Sequence, residues 1–156
     1  MKKESVENLA VQIATLFGTG FVPGAPGTLG SLFGLMGYVI TFLIVGEIGV
    51  GALSAGLLFA AIWSSDLAAR QLKQKDPLCI VIDEVVGMWI TLLGTQSHGP
   101  VLLLGFLLFR FFDIVKPFPI KNIEKLPGGF GIVLDDVAAG IYANVSLRLV
   151  LRMLGS

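Results

Sequence analysis

The sequence contains very little histidine and cysteine. His98 is the only histidine and Cys79 the only cysteine among its 156 residues. A single cysteine excludes an internal disulfide and a cysteine-ligated zinc cluster. Because His98 lies in a segment that we predict to be an outer loop, the sequence also argues against a histidine-ligated metal site and against catalysis through histidine.

Charged residues are also scarce, and neither sign is in excess. Asp, Glu, Lys and Arg make up 14% of the chain, hydrophobic residues make up 54%, and the formal net charge is zero. A soluble domain carries about 25% charged residues, so this composition, with a mean hydropathy of +0.85, predicts a membrane protein. The lack of net positive charge argues against nucleic-acid binding. The length suits a single domain over residues 1–156.

Most of the chain consists of apolar stretches that we predict to be helical. An amphipathic helix over Val6–Phe17 comes first, and residues 18–31, rich in glycine and proline, are predicted to form a shaped loop rather than a helix. Five apolar stretches follow: 29–45, 48–63, 78–93, 101–115 and 137–154. Each is somewhat shorter than the roughly 20 residues that a full span requires. The sequence therefore predicts an all-α membrane bundle of four to five apolar segments.

Basic residues occur in alternate connections between these stretches. Residues 46–47 and 95–100 contain no lysine or arginine, whereas residues 64–77 and 110–136 contain several. The positive-inside rule therefore predicts that the N-terminus and both long connections face the cytoplasm. Two arginines in the last stretch do not fit this scheme, and whether that stretch crosses the membrane is left open.

Five acidic residues lie within or directly beside apolar stretches, where an otherwise apolar chain tolerates charge poorly: Asp83, Glu84, Asp113, Asp135 and Asp136. An ionised carboxylate near hydrocarbon costs several kcal/mol unless it is paired, binds a cation or takes part in chemistry. In the predicted topology all five fall at the cytoplasmic ends of their segments. One site at the membrane interface could hold them all.

The first two acids have a structural interpretation as well as a functional one. One of Asp83 and Glu84 could cap a helix or pair with Arg110 or Lys116, while the other faces lipid headgroups. Two acids in so apolar a run exceed what structure alone requires. We therefore favour a functional role for this pair.

A second group combines an acid with two cations. Arg110, Asp113 and Lys116 are spaced i, i+3, i+6, which places them on one face of a predicted helix. They could form a neutralising salt bridge within the helix. They could also present a carboxylate between two cations, which suits an anionic phosphate and its metal.

The third group follows a glycine-rich turn. Asp135 and Asp136 begin a predicted helix, so either one could be an N-cap, but two consecutive acids are also typical of hard-oxygen ligation of Mg²⁺. Thr28 and Ser31 lie beside a glycine-rich loop whose backbone N–H groups could bind a phosphoryl group.

Several alternative phosphate chemistries are excluded by missing motifs. The sequence has no Asp-x-Asp of an aspartyl-phosphate enzyme and no Gly-x-x-x-x-Gly-Lys, and Cys79 is not followed by the arginine of a cysteine phosphatase loop. What remains is Mg²⁺ held by carboxylates, with basic residues on a phosphate.

Specific motifs occur in four places along the chain. They are PGAPGTLGS at 23–31, Asp76-Pro77 with IVIDEVVGM at 80–88, FRFFDIVKPFPI at 109–120 and GGFGIVLDDVAAG at 128–140. In these motifs the chain resembles phosphatidylglycerophosphatase A, a family of bacterial membrane lipid phosphatases. The resemblance implies an all-helical fold and Mg²⁺-dependent hydrolysis of the phosphomonoester of phosphatidylglycerophosphate to give phosphatidylglycerol. Together with the charge distribution, the resemblance predicts a multi-pass protein of the bacterial inner membrane whose active site faces the cytoplasm.

The site residues follow from these motifs and from the chemistry above. Four acids are assigned to Mg²⁺ ligation and activation of water: Asp83, Glu84, Asp135 and Asp136. The other assignments are Asp113 to the acidic cluster and, for the phosphate of the phospholipid substrate, Arg110, Lys116, Thr28 and Ser31. The rival interpretations are a small cation transporter or channel subunit with intramembrane carboxylates, and a phosphatase of another lipid phosphomonoester. The oligomeric state is left open.

Overall fold

The computed structural model describes residues 2–95 and 98–155, and every regular element in that part of the chain is helical. Six α-helices follow one another: α1 Lys2–Ala14, α2 Pro26–Leu72, α3 Ile82–Leu92, α4 Gly99–Val115, α5 Ile120–Ile123 and α6 Gly129–Met153. By length and composition, α2 and α6 could each cross a membrane. The predicted all-α membrane bundle is confirmed.

The longest helix, α2, consists of two antiparallel limbs. Gly46 has φ 69° and ψ −175°, outside the helical region, and separates limb 26–45 from limb 47–72. A positive φ of this kind is readily adopted only by glycine. The break agrees with the two separate apolar stretches predicted on either side of it.

Two predicted boundaries near the N-terminus are wrong. α1 ends at Ala14 rather than Phe17, because Leu16 and Phe17 both have positive φ and leave the helical conformation. α2 begins at Pro26, inside the segment predicted to be a loop over 18–31. Proline is favourable in the first turn of a helix, where its missing N–H is not needed.

Two further helices are longer than the apolar pattern predicted. α2 continues to Leu72 through most of the predicted connection 64–77. Its last turns are amphipathic, with small buried residues against the bundle: Ser64, Ser65, Ala68 and Ala69. α6 begins at Gly129 instead of residue 137, because its first turns also pack inside the bundle.

Glycines allow α3 to pack closely in the centre of the bundle. A Cβ added to Gly34 of α2 would lie 2.9 Å from the Cα of Val85, so this helix pair leaves no room for a side chain there. A Cβ on Gly87 would meet the ring of Phe109 in α4 and, at 2.8 Å, the carbonyl oxygen of Asp136 in α6. Small residues permit such close approach between membrane helices.

α3 is short, and its final carbonyl groups are bonded by side chains of other helices. Its 11 residues correspond to about 16 Å, about half the thickness of a bilayer core. The Tyr38 hydroxyl donates to the Leu92 carbonyl at 2.7 Å. Asn144 and Arg148 of α6 donate to the Leu93 carbonyl at 2.9 and 2.8 Å. These bonds satisfy carbonyl groups that a helix end leaves without partners.

The long segments alternate in direction, so that particular helix ends meet. Residues near the start of α2, the start of α3, the end of α4 and the first turns of α6 line one cavity. The motifs were predicted to meet at one end of the bundle, and the fold agrees with this prediction. His98 precedes α4 and lies at the other end, about 18 Å along the helix from Arg110.

Candidate active site

A cavity of about 460 Å³ lies at the end of the bundle where these helices meet. Eight charged residues are among those that line it: Asp76, Asp83, Glu84, Arg110, Asp113, Lys116, Asp135 and Asp136. All five predicted acids and both predicted cations are therefore brought together. Among the lining residues, six carboxyl groups face two basic side chains.

Three of the acids form a compact group. One carboxylate oxygen from each of Asp83, Glu84 and Asp136 lies within 4.8 Å of the others. Asp83 and Glu84 occupy the first turn of α3, and Asp136 lies two turns into α6 with only 4% of its surface exposed. Asp83 Oδ1, Glu84 Oε2 and Asp136 Oδ2 are buried and have no hydrogen-bond partner.

The backbone approaches this group closely at Gly27. A Cβ added there would contact Glu84 Oε1 and would lie 3.1 Å from Nη1 of Arg110. Glycine at this position therefore lets an acid and a cation of the site lie against the first turn of α2. The glycine at position 27 is therefore explained by the close packing of the site, whether or not the glycine-rich motif binds phosphate.

The predicted ion pair within α4 is present. Arg110 Nη1 lies 2.6 Å from Asp113 Oδ2, and both side chains are largely buried. The same nitrogen is 3.4 Å from the Ser31 hydroxyl. Arg110 thus has several of its five donors left for a ligand.

Lys116 does not lie on the helical face shared by Arg110 and Asp113, so the predicted i, i+3, i+6 arrangement is wrong for this residue. It caps the C-terminus of α4 with φ 45°, which takes it out of the helix. Its ammonium group lies 2.6 Å from Asp135 Oδ2 and 3.1 Å from Glu124 Oε1. Lys116 therefore joins the end of α4 to α6.

These partners keep Lys116 charged. Burial alone would lower its pKa, but the hydrogen bonds and negative charges of Asp135 and Glu124 outweigh burial and raise the pKa above its ordinary value of 10.5. Because the folded-state pKa is the higher one, the stabilisation is complete below pH 10.5 and is lost only as the pH rises further.

The N-cap interpretation of Asp135 and Asp136 is wrong. α6 begins at Gly129, so both acids lie in the interior of the helix. Asp135 is bonded to Lys116 and is not part of the three-acid group, although its Oδ1 is buried without a partner. Its assignment to Mg²⁺ stays a prediction.

The two hydroxyl residues differ in position. Thr28 lines the cavity, whereas Ser31 is fully buried behind its wall and donates to the Gly27 carbonyl at 2.8 Å. Ser31 reaches the site only through Arg110. Its predicted contact with phosphate stays a prediction, and the geometry favours a role in positioning Arg110.

Three acids near the site were not predicted to belong to it. Asp76 lines the cavity beside Pro77, and partial desolvation raises its pKa while Lys116 opposes this rise. Glu124 binds Lys116. Asp66 accepts a bond from the backbone N–H of Gly129 at 3.3 Å and so supports the start of α6. Only Asp76 had a sequence signal, because it lies in one of the recognised motifs.

Cysteine chemistry has no support at this site. Burial raises the pKa of the Cys79 thiol, although a hydrogen bond to backbone partly offsets this rise. A thiol with a raised pKa is protonated at neutral pH and is a poor nucleophile. This environment suits Cys79 as an apolar packing residue.

The donor set suits a hard divalent cation and a phosphate. Six carboxyl groups against two cations leave an excess of four negative charges when all are ionised. Buried oxygens without partners are costly, and Mg²⁺ prefers oxygen ligands of this kind. Arg110 and Lys116, on the same cavity, supply the positive charge that a phosphomonoester needs.

A family model and two relatives of known name place the chain in the same family. The phosphatidylglycerophosphatase A family model matches residues 12–151. A protein from Haemophilus influenzae named phosphatidylglycerophosphatase A is 40% identical over 93% of this chain and 90% of its own length. The protein of that name from Escherichia coli is 34% identical over 83% of this chain and 76% of its own length.

A third relative carries a different name. A protein from Bacteroides thetaiotaomicron named putative phosphatidylinositol-3-phosphatase is 36% identical over 99% of this chain and its whole length. No solved structure matches the chain significantly. Since the family model covers most of the sequence and relatives of that name align along most of it, the chain belongs to the phosphatidylglycerophosphatase A family.

Proposed function

We propose that the protein is a Mg²⁺-dependent lipid phosphatase that hydrolyses phosphatidylglycerophosphate to phosphatidylglycerol. The observation that carries this proposal is the group formed by Asp83, Glu84 and Asp136, whose buried oxygens lack partners in a cavity that also holds Arg110 and Lys116. Family membership narrows the substrate to a lipid phosphomonoester.

Asp83, Glu84 and Asp136 are the residues that would hold Mg²⁺, with Asp135 as a further candidate. When bound, the cation neutralises phosphate charge and lowers the pKa of water. The chain's own cations bind the substrate: Arg110 and Lys116 exchange part of their bonding with Asp113 and Asp135 for bonds to phosphate oxygens. Because those carboxylates already orient both cations, little reorganisation is needed.

Hydrolysis then requires one proton to move to the leaving group. Water forms a bond to phosphorus, the bond between phosphorus and the glycerol oxygen breaks, and inorganic phosphate is released. A carboxylate of the cluster accepts the proton of the attacking water, and this proton then passes to the departing glycerol oxygen, which leaves as the alcohol. The clustered acids allow this exchange within one cavity, and which of them is the base is left open.

The membrane location supports this reaction physically. We propose a multi-pass protein of the bacterial inner membrane, with the cavity at the cytoplasmic face, since basic residues concentrate in the connections at that end. The acyl chains can then stay in the bilayer while the headgroup enters the site. This restraint concentrates and orients the phosphate relative to the catalytic groups.

A phosphatase of another lipid phosphomonoester is the second candidate. The Bacteroides thetaiotaomicron relative, named for phosphatidylinositol 3-phosphate, supports it. A cation transporter is disfavoured, because the acids gather at one end of the bundle beside Arg110 and Lys116, which repel cations.

Phosphate release from a panel of substrates tests the proposal. Purified protein with Mg²⁺ would be given phosphatidylglycerophosphate, phosphatidylinositol 3-phosphate and soluble glycerol 3-phosphate at equal concentrations. We expect the highest kcat/KM on phosphatidylglycerophosphate and a far lower value on glycerol 3-phosphate. Preference for the inositol lipid would establish the second candidate instead, and equal efficiency on glycerol 3-phosphate would contradict a lipid phosphatase.

A further inference from the structure

A second cavity, which we call the basic groove, lies on the outside of the bundle at the same end as the active site. It has a volume of about 600 Å³ and runs between the second limb of α2 and the start of α6. It shares no lining residue with the active-site cavity. The short segment after α2 separates the two, with Lys75 on the groove and Asp76 on the active-site side.

The wall of the groove is apolar and accessible. Ile62, Trp63, Leu67 and Phe130 line it, and Trp63 and Phe130 are 42% and 55% exposed. Within the described part of the chain, no other segment covers these rings. Exposed apolar side chains grouped in this way mark a surface suited to contact with lipid acyl chains.

One end of the groove is basic. Arg70, Lys73 and Lys75 line that end, and all three are exposed. Asp66 is the acid in the groove, and both its oxygens are occupied, one by the Gly129 N–H at 3.3 Å and the other by Arg70 at 2.8 Å. Lys73 and Lys75 form no salt bridge with any residue that the structure describes. Lys75 interacts electrostatically with its neighbour Asp76, but with Lys73 and Arg70 beside it this end keeps a net positive charge.

The distance between the apolar wall and the basic end of the groove matches the length of a phospholipid in one leaflet. From Ile62 to Lys73 the helix rises by about 16 Å, which is about half of a bilayer core roughly 30 Å thick. A lipid whose phosphate lies at the lysines would therefore have its acyl chain along Trp63 and Phe130. A zwitterionic lipid would fill the apolar part equally well, but it would gain less from the charge.

We propose that the basic groove is a binding site for an anionic phospholipid of the adjacent leaflet, separate from the active site. The phosphate binds at Lys73 and Lys75, and an acyl chain packs on Trp63 and Phe130. The apolar wall next to a basic end with net positive charge favours this occupant over a second copy of the chain. The site does not depend on which phosphomonoester the active site hydrolyses.

Fluorescence quenching of Trp63 by brominated lipids tests this site. The other tryptophan, Trp89, is 8% exposed and donates to the Gly34 carbonyl, so its contribution can be measured in Trp63→Phe and subtracted. The intact protein would be placed in vesicles of phosphatidylglycerol and phosphatidylcholine, with either lipid brominated. We expect Trp63 quenching to report a preference of at least about fivefold for phosphatidylglycerol, the order that one lysine contributes at an anionic surface.

Matched variants separate the groove from the general charge of the protein. Lys73→Gln with Lys75→Gln should remove the preference while leaving quenching by either lipid intact. Lys121→Gln with Lys125→Gln, at the same end but outside the groove, should keep it, with far-UV circular dichroism confirming the fold of both variants. Equal quenching by the two lipids in the wild type would overturn the proposal, as would loss of the preference in the Lys121 and Lys125 variant. Absence of quenching by either lipid would also overturn it, because protein would then cover the groove.

Discussion

At the scale of single residues, the burial of Asp136 is costly unless a cation is bound beside it. The residue is 4% exposed, and its carboxyl group lies within 4.8 Å of two other carboxyl groups and leaves Oδ2 without a partner. Burying one unpaired charge costs several kcal/mol, and nearby like charges increase that cost. A divalent cation among these oxygens removes both penalties.

Asp83→Asn and Asp136→Asn retain the size of the side chain and remove its charge. We expect each to lower kcat by roughly 100-fold or more, the scale of losing a preorganised electrostatic group. Phosphate release by the purified variants measures this, with Glu4→Gln, an exposed acid of α1, as the matched control. If either variant had a near-normal kcat, the acid it replaces would have only a structural role.

Gly27→Ala tests whether the backbone must approach the site closely. The added methyl group would contact Glu84 Oε1 and lie 3.1 Å from Arg110 Nη1, so it should push an acid and a cation out of position. We expect kcat/KM to fall by about 10-fold or more, since a displacement of about 1 Å can cost 100-fold. Gly56→Ala is the control, because a Cβ there meets nothing within 4 Å. Equal activity of the two variants would show that Glu84 and Arg110 can move without consequence.

At the scale of elements, α3 depends on α6 for its C-terminal bonds. Asn144→Ala removes the donor to the carbonyls of Ile90, Thr91 and Leu93, of which Leu93 keeps its bond from Arg148. It should lower the free energy of unfolding by about 1–3 kcal/mol, the cost of an unsatisfied buried polar group. Thermal unfolding in detergent measures the change. Asn122→Ala, on the exposed surface, should change stability by less than about 0.5 kcal/mol. A similar small effect for Asn144→Ala would mean that water satisfies the end of α3.

The apolar pattern predicts the existence of the long helices better than their ends. Hydrophobic stretches indicate where α3, α4 and the two limbs of α2 lie. The pattern fails at residues 64–72 and 129–136, because those turns are polar in part and become helical through tertiary packing. Pro26 carried a start signal for α2, but the surrounding glycines, which serve close packing with α3, have the composition of a loop.

The sequence predicted which residues belong to the site better than it predicted which of them bond to each other. Acids and cations inside apolar stretches stand out in the sequence, and the structure brings all of the predicted ones to one cavity or its wall. The bond from Lys116 to Asp135 joins residues 19 apart, and that from Gly129 to Asp66 joins residues 63 apart. Such pairs depend on how α2, α4 and α6 pack, which local patterns do not encode.

At the scale of the whole molecule, the bundle has one acidic end with the cavity and an opposite end near His98. Single cysteines in a Cys79→Ala background test which end faces the cytoplasm. We expect Lys121→Cys to be shielded from impermeant thiol reagents in intact cells and His98→Cys to be labelled, as the distribution of basic residues predicts. The reverse labelling would place the cavity outside.

The most direct measurement is phosphate release from phosphatidylglycerophosphate by the purified protein, first in EDTA and then during titration with Mg²⁺. If the carboxylates hold the cation, activity should be absent in EDTA, return with Mg²⁺ and return poorly with Ca²⁺, which is larger and prefers looser coordination. Asp136→Asn should need more Mg²⁺ and reach a much lower maximum. Full activity in EDTA would contradict the proposed role of the acidic group.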